Sequence, residues 1–302
     1  MADDDGAYLV DAAFARRAFD RASATYEAAA VLQGEVRDLL LERLELTDLE
    51  PRLVLDAGAG TGLGGRALKR RYPKARVLAV DSAPGMLGAA GARGSWWRPL
   101  SRVCADAARL PLPDASVDLV FSNFMLPWAD PERVLAEFRR VLAPRGFLTF
   151  TSLGPDTLRE LRAAWASVDS SPRVHTFIDM HDLGDALVRS GFAEPVLDVE
   201  RYTLEYADVS RLAADLKAVG EVNALAGRSK GLTSPRKFDA MRAAYEAYRR
   251  NGRLPATYEV VFGQAWSPRD SSGLDSSGRA GSSNTVSLEA MRRQLAAKRA
   301  RR

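Results

Sequence analysis

The chain has one cysteine, Cys104, and two histidines, His175 and His181, among its 302 residues. A lone thiol excludes an intramolecular disulfide and agrees with a reducing compartment. Two histidines with no cluster of other ligand types beside them argue against a metal site, and they read instead as caps or decorations of a helix near Asp179. No apolar run approaches the roughly 20 residues that a membrane span needs. The N-terminus MADDDGAYLV is acidic where a secretory leader would be basic. These absences predict a soluble, cytoplasmic protein without a metal, and no internal repeat is visible.

Charge is present but unevenly placed. The net +4 and the pI of about 9.3 would fit a nucleic-acid binder if they belonged to the body of the chain. They do not, because residues 267–302 carry eight Lys/Arg against three acids. Residues 208–253 carry ten against five, so residues 1–207 are net acidic at −5. Nucleic acid is therefore not an expected partner.

Apolar spacings of three and four from Phe19 through Tyr26 to Leu44 predict one long helix or two over residues 12–45. The central stretch follows: LVLDAGAGTGLGG, residues 53–65, reads as a buried strand, a glycine turn and a helix opening near Leu63. RVLAVD (76–81), a short strand at 103–106, VDLVFS (117–122) and FLTFTS (147–152) supply four more strands, alternating with helices. Cys104 reads as a small core residue of the third. Helices are expected over 156–168, 179–190, 208–227 and 235–250, and strands over 195–206 and 256–266. The domain plan is an N-terminal helical cover (1–50), a core (51–207), a helical lid insertion (208–253), a final strand (254–266) and a disordered basic tail (267–302). The fold class is α/β, a doubly wound Rossmann-like sheet with right-handed crossovers.

A glycine loop after a strand has two readings. Gly60, Gly62 and Gly65 match G-x-G-x-x-G, yet their first glycine lies four residues beyond Asp56, too late for a dinucleotide turn. The other reading is S-adenosylmethionine. Asp56, Asp81 and Asp106 close the first three strands, Gly58, Gly60 and Gly62 form the turn, and Ala107 and Asn123 stand beside the same crevice. Three carboxylates converging on one crevice suit a sulfonium and an ammonium and repel a pyrophosphate.

LDAGAGTG, AVDSAPGML, ADAARLPLPDASVDLVFSN and VLAPRGFLTF together resemble the class I S-adenosylmethionine-dependent methyltransferases over about residues 50–152. The resemblance implies a seven-stranded sheet of order 3-2-1-4-5-7-6 with its last strand antiparallel. It also implies that Asp56, Gly58, Gly60 and Gly62 hold the methionine part, Asp81 and Met86 the ribose and adenine, and Asp106 with Ala107 the base. AFDRASATYEAAAVLQ, SLGPDTLRELRAAW and RLPATYEVVFGQAW extend the likeness, over residues 12–266, to the malonyl-acyl-carrier-protein O-methyltransferases of biotin synthesis. In that branch Tyr26 and Gln33 match the segment that covers the cofactor, with Tyr26 as the catalytic candidate. Two departures stand out, an insertion at residues 91–100 and the tail beyond Ser267.

That branch implies methyl transfer to the free carboxylate of a malonyl thioester on acyl carrier protein, which is already ionised and needs no general base. Arg201, Arg16 and Arg21 are the candidates for holding its second oxygen. Each also reads as a plain surface arginine. Tyr26 positions substrate or packs under the N-terminal helix; Trp128 walls the acceptor pocket or anchors a loop. An acidic carrier protein makes Arg228, Lys230, Arg236 and Lys237 of the lid a candidate docking face. Two other functions remain open at this level. One is the arginine hydroxylation associated with methyltransferase-like complex I assembly factors, and the other is a cofactor-binding module without catalysis.

Overall fold

The computed structural model describes residues 10–92, 100–228, 231 and 233–269. Lys230, most of the 91–100 insertion and the tail beyond residue 269 lie outside the described residues. Strands β1 (Leu53–Ala57), β2 (Arg76–Asp81), β3 (Ser101–Cys104), β4 (Val117–Ser122), β5 (Leu142–Leu153), β6 (Ala193–Tyr206) and β7 (Leu254–Trp266) form one sheet. Its order is β3-β2-β1-β4-β5-β7-β6, as expected. Neighbours from β3 to β5 pair in parallel, and β7 runs antiparallel to both β5 and β6. The order reverses between β2 and β4 on either side of β1, and that switch opens a crevice at the strands' carboxyl ends.

Both faces of the sheet are covered. One face packs α3 (Val31–Arg43), α4 (Leu63–Arg71) and α7 (Arg159–Ala166), with α9 (Val209–Ala218) and α10 (Pro235–Tyr245), through Val36, Leu68, Ala164, Leu212 and Tyr245. The other packs α6 (Pro131–Val141) and α8 (Met180–Arg189) through Val134, Phe138, Leu183 and Leu187. The central strands are accordingly apolar on both sides, which is why VDLVFS shows no alternation. No helix among the described residues is long and apolar enough to cross a membrane.

The helix starts follow capping chemistry. Asp130, Asp208 and Ser234 accept from the backbone N–H groups of Arg133, Arg211 and Lys237, and Pro131 and Pro235 occupy first-turn positions without an N–H to lose. Several expected boundaries shift. The N-terminal stripe forms three helices, α1 (Ala12–Ala22), α2 (Tyr26–Ala29) and α3. The first break sits where Thr25 Oγ1 donates to both Ala22 O and Ala218 O. The helix expected over 208–227 stops at Ala218, because Gly220 turns left-handed at φ +76°, where an added Cβ would lie 2.9 Å from Phe19 Cδ1 of α1. The helix expected over 156–168 begins at Arg159, since the left-handed Leu158 donates its N–H to Thr257 O at 2.7 Å. β3 ends at Cys104 rather than Asp106, and Cys104 is exposed, not a core residue.

Candidate functional site

The glycine turn is shaped by its neighbours. Gly58 and Ala59 donate their N–H groups to Val80 O at 2.9 and 3.0 Å, drawing the loop across the end of β2. Gly58 has φ +73°, and a Cβ there would lie 2.4 Å from Met125 Cβ, so only glycine fits. Gly60, also left-handed, has open space where its Cβ would be, on the side facing the crevice. Gly62 at φ +78° is the N-cap of α4.

The carboxylates converge unequally. Asp56 lies inside β1, one residue before its end, and is 2 % exposed. Burial pushes its pKa up to about 7, against the pull of the Gly65 N–H, and the nearby Asp81 adds to the rise. Its Oδ2 is buried without a hydrogen-bond partner. Asp81 ends β2 and is fully engaged: Oδ2 accepts from Gly60 N and Oδ1 from Ala83 N, both at 2.8 Å. Burial raises its pKa and those N–H groups lower it. Asp106 is placed differently from the expectation, in the loop two residues past β3, exposed, with Oδ1 accepting from Ala108 N at 2.9 Å. The adjacent Ala107 is buried.

Asp81, Asp106, Ala107, Met86, Gly58, Gly60 and Asn123 line a single cleft of about 440 Å³. Gly62 lies outside it and serves the turn. A smaller recess of about 50 Å³ adjoins it and shares Tyr26, Gly58, Gly60 and Asn123; Asp56, Gln33 and Thr61 line this recess. Asn123 follows β4 directly. Its Nδ2 donates to Gln33 O at 3.0 Å and its Oδ1 accepts from Thr151 Oγ1 at 2.9 Å, tying the sheet to α3.

Tyr26 both lines the cleft and packs with Phe19, Met86 and Ala22, so its two readings coexist. Burial, with Glu221 and Asp81 nearby, holds its phenol well above the usual range and keeps it protonated. Trp128 likewise does both things. It lines the cleft and stacks against Phe19, His175 and Phe177 at centroid distances of 5.3, 5.0 and 6.4 Å. His175 does not decorate a helix. It is buried, with Nε2–H donating to Pro127 O at 3.0 Å and Nδ1 accepting from Ala224 N at 3.4 Å, a tautomer assigned from these partners. His181 is exposed beside Asp179, on the helix expected for it.

Of the three arginine candidates, Arg16 alone lines the cleft. Arg201 is held in ion pairs with Asp156 and Glu259 on β7, both at 3.2 Å, and Arg21 lies on the exposed face of α1. Two of the four cations expected to face a carrier protein are also committed. Arg228 pairs with Asp11 and stacks 3.9 Å over the Phe14 ring, fastening the lid to α1, and Lys237 pairs with Asp169. Arg236 is exposed.

The sequence reading missed Phe19, Thr61, Met125 and Glu221. Phe19 lies seven residues before Tyr26, on the same helical stripe, and Thr61 lies inside the glycine turn; both were open to inspection. Glu221 accepts from Gln33 Nε2 at 2.6 Å across 188 positions of sequence, and no local pattern announces it.

The site fits S-adenosylmethionine on its own geometry. A buried carboxylate oxygen without a partner suits the ligand's ammonium, the open Cα of Gly60 admits close approach, and the Asp81 carboxylate lines the adjoining cleft. Among the described residues no group of three or more His, Cys, Asp or Glu is arranged to hold a metal.

Residues 55–150 match the methyltransferase domain family. The chain is 51% identical over 270 residues to the malonyl-[acyl-carrier protein] O-methyltransferase of Methylovorus sp. (strain MP688), covering 87% of this chain and 91% of that one. It is 38% identical to malonyl-[acyl-carrier protein] O-methyltransferase 1 of Coxiella burnetii, covering 90% and 93%. In fold it is similar to the crystal structure of the YcgJ protein from Bacillus subtilis, with a TM-score of 0.55 at 16% identity, over 76% of this chain and 98% of the other.

Proposed function

The chain belongs to the malonyl-[acyl-carrier protein] O-methyltransferase family, and from that membership we propose how its cleft performs the reaction. The enzyme methylates the free carboxylate of a malonyl thioester on acyl carrier protein, an early step of biotin synthesis, with S-adenosylmethionine as methyl donor. When bound, S-adenosylmethionine supplies an electrophilic methyl carbon on a positively charged sulfur.

Asp56 and Gln33 receive the ligand's amino-acid end in the smaller recess, Asp81 its ribose, and Asp106 with the Ala107 N–H its base. Phe19, Phe124, Met125 and Trp128 wall the acceptor side. A carboxylate oxygen bonds to the methyl carbon as the carbon–sulfur bond breaks, and no proton moves. Two opposite charges vanish in that step, so an apolar wall that excludes water favours it over bulk solvent. The protein's task is to hold oxygen, carbon and sulfur in line.

Among the described residues Arg16 is the one cationic side chain lining the cleft, and we assign it the non-reacting oxygen of the malonyl carboxylate. Tyr26, kept protonated, donates a hydrogen bond that orients the acceptor and is not a base.

The observation that carries this reading is the pairing, among the described residues, of an apolar acceptor wall of Phe19, Phe124, Met125 and Trp128 with one arginine and no histidine or lysine, the cleft's carboxylates Asp81 and Asp106 being those assigned to the cofactor. It is tested by comparing labelled methyl transfer to a malonyl and to an acetyl thioester of the same carrier. The malonyl form should be labelled and the acetyl form, which lacks the free carboxylate, should not. Equal labelling of both would overturn the reading.

A further inference from the structure

Sequence arithmetic gives the first 207 residues a net negative charge and points to the lid as the basic surface. Around the cleft the structure leaves a group of arginines unpaired, because the acids nearest them are ion-paired to other residues or turned onto backbone N–H groups. Arg16, Arg17 and Arg21 occupy the exposed face of α1, and Arg16 lines the cleft. Arg109 lies two residues beyond the cleft-lining Ala107, and Arg133 four residues beyond the cleft-lining Ala129; both are exposed. Among the described residues no carboxylate oxygen lies within 4.0 Å of any of these five guanidinium groups.

The neighbouring acids are all engaged. Asp11 pairs with Arg228 and caps Phe14 N, and it feels Arg17 only at longer range. Asp20 accepts from Gly85 N at 2.6 Å, Asp130 caps α6 through Arg133 N, Glu132 pairs with Arg189, and Asp106 closes its own turn on Ala108 N. In contrast, Arg228 and Lys237 of the lid are neutralised by Asp11 and Asp169.

We propose that the carrier protein docks on the cleft rim, through Arg17 and Arg21 of α1, Arg109 and Arg133, by a face of carboxylates on the carrier. This rests on the function proposed above and names the surface its partner uses. An acidic face seated on that rim would deliver the acyl group directly over Arg16, whereas of the lid cations Arg228 and Lys237 are already paired with Asp11 and Asp169. Free cations around one mouth also raise the encounter rate of an acidic partner in a salt-dependent way.

The test uses the full chain with Arg17, Arg21, Arg109 and Arg133 each changed to Glu, leaving Arg16 in place. Binding of unacylated holo-carrier is titrated directly, and methyl transfer is measured with malonyl-carrier and with a small malonyl-pantetheine thioester, at low and high salt. Carrier affinity and kcat/KM for malonyl-carrier should fall by about tenfold or more at low salt, with a flattened salt dependence. The small thioester and the Tm should be unaffected. Arg236→Glu with Lys237→Glu should leave the carrier nearly as active as before. Equal loss on both substrates, an unchanged carrier affinity, or loss with the lid pair instead would overturn the proposal. If the fourfold variant fails to fold, Arg21→Glu and Arg133→Glu singly carry the same test at smaller amplitude. Failure of the unaltered enzyme to methylate either substrate would defeat the proposed function, while the carrier titration would still decide the docking surface.

Discussion

The side-chain amide of Gln33 donates to Glu221 Oε1 at 2.6 Å, and the backbone carbonyl of the same Gln33 accepts from Asn123 Nδ2 at 3.0 Å. One residue of the N-terminal cover therefore ties the loop after α9 to the end of β4, and the three parts of the chain close over the smaller recess together.

Burial pushes the Glu221 carboxyl up to about 7, with the Gln33 bond pulling it down. A carboxyl whose folded pKa is raised contributes stability at low pH that is lost as pH rises from the ordinary carboxylate range through about 7. Glu221→Gln keeps an acceptor for Gln33 and removes that loss. Its Tm should exceed that of the unaltered protein by roughly 2–4 °C at pH 8 and match it near pH 5, by thermal melts at both pH values.

His175 titrates in the opposite sense. Burial, and the nearby Arg162 cation, push its pKa down to about 4 although the Pro127 carbonyl favours the charged form. Its neutral form contributes stability that is full above about 6.5 and lost as pH falls toward 4. Between pH 7 and pH 5 the protein should lose about 2 kcal/mol more stability than His175→Gln does, read from urea melts at the two pH values. Parallel pH curves for the two proteins would remove His175 from the account.

Gly58 combines a left-handed φ with a Cβ position 2.4 Å from Met125 Cβ. Gly58→Ala should destabilise the fold by about 2–4 kcal/mol and cut S-adenosylmethionine affinity, because neither strain nor clash is relieved without moving the loop off β2. Calorimetric titration and a melt report both effects.

Asp56 makes the affinity for S-adenosylmethionine pH-dependent. With its pKa near 7 in the free protein, the carboxylate proposed above to receive the ligand's ammonium is present above pH 7 and is lost below it. The Kd should therefore rise as pH falls from 8 to 6, by at most about tenfold per unit below 7. Asp56→Asn should bind weakly and without that dependence. A Kd level over the range in the unaltered protein would place the charge elsewhere.

The strands β1, β2 and β4, the glycine turn at Gly58 and Gly60 and the position of Asp81 at the end of β2 were legible because they follow from local patterns, while the order of the strands came from the family resemblance. What escaped was long-range. Glu221 meets Gln33, His175 meets Pro127, and Arg228 meets Asp11 across separations of 188, 48 and 217 residues, and those pairings decide which charges are buried, neutral or spent. The lid's Arg228 and Lys237 look like free cations in one dimension and are consumed in three. The expected end of β3 at Asp106 falls two residues beyond its actual end at Cys104, because β3 is only four residues long and lends no periodicity to fix its end.

The central claim is methylation of a malonyl carboxylate in this cleft. The most direct measurement is the intact mass of malonyl-carrier protein after incubation with the enzyme and S-adenosylmethionine, alongside Asp81→Ala. The account predicts the gain of a single methyl group, which leaves together with the acyl group when the thioester is cleaved, with little or none from the variant. Unchanged malonyl-carrier mass under conditions where the enzyme binds S-adenosylmethionine would contradict it.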